Sequence, residues 1–407
     1  MTNREMRNLW LTLLGKGVSQ MGSKLFGFAM SFYILKTTGS AQSFAISLLI
    51  TTLPGVFLSP LAGGLTDRID KKLAVVGADL LSGLSMIAIF FVIQSESLTL
   101  TMIYLAEFIL AVLFVFLNNA FSASYPNIVS KENLTKINAY SQGLDSVLSI
   151  FIPLLGGIVY GLIDVKLFFV INGISFILSA VSEMFIDFHM FGRRVVMKVP
   201  FVQNLKEGFN YISKQKLFMT IAIYALFINF FMSAFSIILP YNLITLHEVT
   251  PETNGMIQSV FPIGAIVMSV YIGKKNTKFS NQLLRNTMMM FGLLMFCFAL
   301  PTMGIFELGW LMPFYYALLM GVMAMVSILV NVPLQVLFQT IIEDAYRGRA
   351  MGVLSAFAQG IMPISYLLTG ILIDYIPSYS ILLFSALAMM TIAISVHKNV
   401  HLKEVAA

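Results

Sequence analysis

Lys16, Gln20 and Lys24 recur every four residues inside the first long apolar run of this chain, so a helix there carries one continuous polar stripe. Glu107 and Asp145 stand deep in later apolar runs, and Asp79 and Glu183 nearer the ends of theirs. Ionisable groups are costly inside a membrane-sized apolar segment and face a partner or water there. A carboxyl in such surroundings can take up a proton when its environment changes, which is the chemistry this set of residues offers. At a rise of about 1.5 Å per residue, Lys24 and Glu107 come to nearly the same depth, as do Lys16 and Asp145, which predicts two cross-helix pairs. Two readings fit: static pairs that order the N-terminal half, or proton carriage by at least one carboxyl, Glu107 first and Asp145 second. Asp79 and Glu183 are read as packing residues.

The elements that hold these residues follow from composition. Of 407 residues, 58% are hydrophobic and 11% charged, and soluble domains are typically under half apolar. The apolar residues come in runs of roughly 20 or more, each able to cross a hydrocarbon core of about 30 Å as a helix. Twelve such spans are expected in an all-α integral membrane fold. The first runs from residue 9 to about residue 35 and is too long for a cleaved leader. The net charge of +6 is an orientation signal rather than a nucleic-acid footprint. Among the 25 Lys and Arg, only Lys36 and Lys166 fall on the side opposite the termini, while Lys16 and Lys24 lie within the first span. The positive-inside rule then puts both termini in the cytoplasm. One cysteine, Cys297, and four histidines near segment ends offer no disulfide framework and no metal-ligand set. No phosphate-binding loop, nucleotide fold or catalytic triad is present, so no cofactor is expected, the chain is not expected to be an enzyme, and ATP-driven transport within it is excluded.

The longest polar interval divides the chain into an N-terminal six-helix bundle (1–188), a cytoplasmic linker (189–215) and a C-terminal six-helix bundle (216–407). In the linker, Phe201, Leu205, Phe209 and Ile212 at helical spacing predict an amphipathic helix lying on the inner membrane surface. The halves echo each other at an offset of 210 residues: PLLGGIVYGLID (Pro153 to Asp164) returns as PISYLLTGILID (Pro363 to Asp374). Parallel repeats of this kind place a binding site between the halves near the membrane midplane. Lys16, Gln20 and Lys24 would line it from the first half. Asn229, Asn331, Gln335 and Gln359 would line it from the second, where spans seven to ten hold no buried acid. Neutral polar groups among Met and Phe suit amphiphilic substrates.

Between spans two and three stands GGLTDRIDKK, which resembles the loop motif Gly-x-Leu-x-Asp-Arg-x-Gly-Arg-Lys of the major facilitator superfamily. Gly63, Leu65, Asp67, Arg68 and Lys72 match, Lys71 replaces arginine, and Asp70 stands where the motif usually has glycine. That form, with GSKLFGFAMSFYILKTTGSA, PNIVSKENLTKINA, LKEGFNYI and RGRAMG, is similar to the drug and siderophore exporter branch that includes the macrolide efflux pumps. The resemblance implies a secondary active transporter of the bacterial inner membrane. Its partners would be protons, membrane lipids and an amphiphilic small molecule, which it exports as a monomer by alternating access. It also implies a cytoplasmic latch of Gly63, Asp67, Arg68, Asp70, Lys71 and Lys72 with Arg347 and Arg349. In that latch Asp67 would meet the helix N-terminus of span eleven, where the dipole favours an anion. A lipid or lysophospholipid flippase of the same fold, and a non-transporting membrane sensor, are the other readings.

Overall fold

The computed structural model describes residues 1–66, 69–95, 97–192, 201–275, 277–305, 308–343 and 346–398. The chain forms two compact units, Met1–Thr37 with Ser47–Lys198 and Thr38–Ile46 with Val199–Ala407. The first contains α1 (Asn3–Thr38), most of α2 (Ala41–Thr66), α3 (Lys71–Ser95), α4 (Leu100–Ile128), α5 (Leu134–Leu162) and α6 (Leu167–Glu183). The second contains α7 (Phe201–Lys214), α8 (Lys216–Tyr241), α9 (Pro251–Lys275), α10 (Asn281–Ala299), α11 (Met312–Ile341), α12 (Arg347–Gly360), α13 (Met362–Ile373) and α14 (Ser378–Lys398).

Among the described residues, ten helices are long and apolar enough to cross a membrane, against the twelve spans expected. The other two expected spans correspond to α6, apolar but only 17 residues long, and α1, whose 36 residues include Lys16 and Lys24 in mid-helix. The eleventh expected span is interrupted at Ile361, between α12 and α13, where Gly360 and Pro363 bracket the break. The helix expected in the linker interval is α7. Helix α7 belongs to the second unit, and among its described side chains Phe209 stacks on Phe357 of α12, Tyr211 stacks on Tyr346, and Ile212 is buried. An amphipathic face is satisfied by any apolar surface, and here that surface is α12 with α8 rather than lipid alone.

Within the first unit α3 packs chiefly on α6 and α4. Gly83 and Gly173 make the α3–α6 crossing possible, since a Cβ on Gly83 would sit 2.8 Å from the Gly173 carbonyl oxygen. In the second unit α10 packs on α14 and α11, and α9 on α11. Helix α3 begins at Lys71 and α10 at Asn281, the repeat offset read from the sequence.

The beginning of α1 is fastened by polar side chains as well as by Leu9, which is buried in the apolar core. Asn8 Nδ2 donates to the carbonyls of Ile128 (3.1 Å) and Asp187 (3.3 Å), and Asn8 Oδ1 accepts from Asp187 N–H. Glu5 accepts from the backbone N–H groups of Thr2 and Ser130, both at 2.8 Å, and from Asn133 Nδ2. Those N–H donors hold the Glu5 carboxyl down at about 2. A depressed carboxyl stabilises the fold above its ordinary value near 4.5, and that contribution is lost as pH falls from there toward 2. Glu5→Gln is therefore expected to lower the melting temperature at neutral pH and to flatten its decline below pH about 4.5. A native-like acid limb in the variant would show that Glu5 contributes nothing to it.

Candidate functional site: carboxyls within the first unit

Helix α4 carries Glu107 two turns from its start and α2 carries Ser47; the Glu107 carboxyl is interior, at 4% exposure. Ser47 Oγ donates to Glu107 Oε1 at 2.8 Å, and Glu107 Oε2 meets no hydrogen-bond partner. Among the described residues no cation lies within ion-pair distance of this carboxyl. The predicted Lys24–Glu107 pair is thus absent. Equal depth was the whole basis for it, and depth says nothing about which way a side chain points around its helix.

Lys16 does form its ion pair. Its ammonium, nearly buried, lies 2.9 Å from Asp145 Oδ2 on α5 and also donates to Ser141, whose hydroxyl meets Tyr125 at 3.1 Å. Lys24, two turns further along the same stripe, lies close enough to Asp145 and Lys16 to feel both charges. Gln20, between them, keeps its Oε1 buried without a partner. The stripe on α1 therefore addresses α5, not α4.

In the second unit the predicted substrate-lining residues stay local. Asn229 donates to the Ala225 carbonyl on its own helix and Asn331 to Ser327, while Asn331, Gln335 and Gln359 are exposed. Among the described residues none of the four hydrogen-bonds another of the set.

Of the expected latch, Asp67 and Arg68 lie outside the described residues, and so do the surroundings of Gly63 and the Arg347 side chain. Asp70 has a role that the orientation rule gave it no reason to have. Its Oδ1 accepts from Leu73 N–H at 3.1 Å, capping α3, and its Oδ2 lies 2.9 Å from His189 Nε2. Partial burial pushes the Asp70 carboxyl up, but the hydrogen bonds from Leu73 and His189 outweigh it and hold the group below its ordinary value. Lys71 and Lys72 open α3 directly after this cap. Arg349 pairs with Glu207 of α7 inside the second unit. Glu207 lies in the linker interval, outside the expected latch cluster.

Two carboxyls read from the sequence as packing residues are the most enclosed of all. Asp79 of α3 and Glu183, the last residue of α6, are both 0% exposed. Ser19 Oγ of α1 donates to Asp79 Oδ2 at 2.6 Å, and Ser179 Oγ lies 2.8 Å from Glu183 Oε1. The serines at these sites, Ser19, Ser47, Ser141 and Ser179, were missed. A hydroxyl among apolar helix residues has no periodic signature, because serine equally often bonds its own helix, as Ser82 does here.

A profile of the Major Facilitator Superfamily matches residues 12–353 and 221–400. The chain is 24% identical over 382 residues to macrolide efflux protein A of Streptococcus pyogenes, covering 93% of each. It is 23% identical to the uncharacterized MFS-type transporter YfiS of Bacillus subtilis, over 87% of this chain and 84% of that one. Among solved structures it superposes on a bacterial homologue of the iron transporter ferroportin in an inward-facing state, with TM-score 0.69 and 15% identity over 98% of this chain and all of that one. The nucleoside transporter NupG gives TM-score 0.71 at 12% identity, over 98% and 99%.

Proposed function

Because the chain belongs to the major facilitator superfamily, we propose that it is a secondary active transporter that exports an amphiphilic small molecule in exchange for protons. The substrate class is macrolide-like, drug or siderophore; relatives named as macrolide efflux proteins over 93% of the chain support it. It would work by alternating access, with both termini in the cytoplasm and the chain in the inner membrane. The packing of α3 on α6 and α4, matched by α10 on α14 and α11, supports the repeat that this arrangement needs.

One observation carries the coupling assignment: Glu107 is buried beside Ser47, with one oxygen unpartnered and no cation at hand among the described residues. An isolated carboxylate in such a place pays a desolvation penalty of several kcal/mol, whereas the protonated acid does not. A proton therefore favours the arrangement in which Glu107 is enclosed, and water favours the one in which it is open. That difference between two states is what lets a proton gradient drive a conformational cycle. Asp145, held by Lys16, is the second acid of the cycle.

Uptake of a panel of dyes, macrolides and siderophores into inverted vesicles, with and without an imposed proton gradient, tests the proposal. At least one compound should accumulate against its gradient only when protons can flow back. Accumulation of none, or accumulation that survives collapse of the proton gradient, would sink it.

A further inference from the structure

Asp79 and Glu183 take no part in that cycle, yet they are built as a site. Three helices meet there. Gly15 of α1 lets Glu183 in, since a Cβ at that position would lie 2.9 Å from Glu183 Oε1. Ser19 Oγ of α1 donates to Asp79, while Ser179 Oγ of α6 lies within hydrogen-bond distance of Glu183 and of the Gly15 carbonyl. The two carboxyls are themselves within hydrogen-bonding reach of each other. Asp79 Oδ1 and Glu183 Oε2, both buried, receive no hydrogen bond from any donor among the described residues.

Among the described residues no cation compensates the pair. The neighbouring Lys16 spends its ammonium on Asp145 and Ser141. From α4, Tyr125 turns its hydroxyl to Ser141 and Glu107 is held by Ser47. The remaining ionisable residues of α3, Lys71 and Lys72, stand at its first turn, and α6 has none besides Glu183. Two touching anions in a dry interior repel each other with nothing to offset them. A single proton removes the repulsion and supplies the donor that the two orphaned oxygens lack. Its location is set by the helices. Glu183 ends α6, where the helix dipole disfavours negative charge, while Asp79 stands inside α3, away from its C-terminus, and accepts the Ser19 hydroxyl as a carboxylate does.

We infer that Asp79 and Glu183 form a second proton-binding site of the first unit, in which Glu183 holds one proton and donates it to the Asp79 carboxylate. Packing alone does not call for it. Helices α10 and α14 pack as extensively as α3 and α6, and neither carries an acidic residue. The proton joins α1 to α3 and α6, and its loss would leave two anions at their junction, so the site exchanges with water only when these helices part. This assignment stands whether or not Glu107 couples transport.

Infrared spectroscopy of the full-length purified protein at neutral pH tests it, carried out with Glu107→Gln so that Glu107 adds no signal. A protonated-carboxyl stretch is expected that shifts when all glutamates carry a 13C-labelled side-chain carboxyl and stays in place when the aspartates do. Glu183→Gln should abolish the band, since its amide supplies the donor in place of the proton. Absence of the band, a band that follows the aspartate label, or one that survives Glu183→Gln overturns the proposal. The labelling leaves the pair unaltered, so it decides the matter even if Glu183→Gln does not fold.

Discussion

Glu107→Gln is expected to abolish proton-driven accumulation of substrate in inverted vesicles while leaving expression, membrane insertion and downhill flux intact. Glutamine keeps the volume and still accepts from Ser47 Oγ, the bond that Glu107 Oε1 makes at 2.8 Å. It cannot change charge, so the enclosed and opened states of the site no longer differ in proton affinity, and a gradient has nothing to act on. The accumulation ratio should therefore fall to that of passive equilibration at every pH. Asp145→Asn separates coupling from integrity. It strands Lys16, whose side chain is only 9% exposed; breaking a fully buried pair costs about 3–5 kcal/mol, and less where one partner is as open as Asp145. That variant should lose melting temperature as well as transport, which Glu107→Gln should not. Native-like, gradient-dependent accumulation in Glu107→Gln would remove Glu107 from the coupling role.

Gly264→Ala is expected to destabilise the second unit and Gly273→Ala, on the same helix, to stabilise it slightly. A Cβ at Gly264 would lie 2.5 Å from the carbonyl oxygen of Gly321 on α11, and backbone cannot swing aside as a side-chain tip can. Helices α9 and α11 must then separate along their crossing, and overpacking of this kind costs about 1–3 kcal/mol. Alanine's better helix propensity returns about 1 kcal/mol at most, so the net sign is loss. Around Gly273 nothing stands within 4 Å of the added methyl, leaving only the propensity gain of roughly 0.4–1 kcal/mol. Thermal unfolding in detergent reads both. Equal shifts for the two variants would show that the α9–α11 contact is looser than its geometry.

The membrane-embedded helices were legible because a long apolar run has one stable solution in lipid, a helix that satisfies its own backbone. The acids were legible for a similar reason, since charge in such a run is rare enough to stand out. The offset of 210 residues between PLLGGIVYGLID and PISYLLTGILID also separates the starts of α3 and α10. It also shows where the halves differ: at that offset Ser47 and Glu107 become Ile257 and Ala317, so the second half has no copy of this carboxyl site.

The sequence by itself determined the class of molecule, its family likeness, and the set of polar groups carried into the apolar interior at known depths. Only the tertiary structure decided which of them meet: Glu107 with Ser47 rather than Lys24, Asp79 with Glu183, Arg349 with Glu207. Depth along a helix is linear in residue number, about 1.5 Å for each. The direction a side chain faces, and the helix it faces, depend on how the helices pack around one another, and that is settled by contacts far apart in the chain.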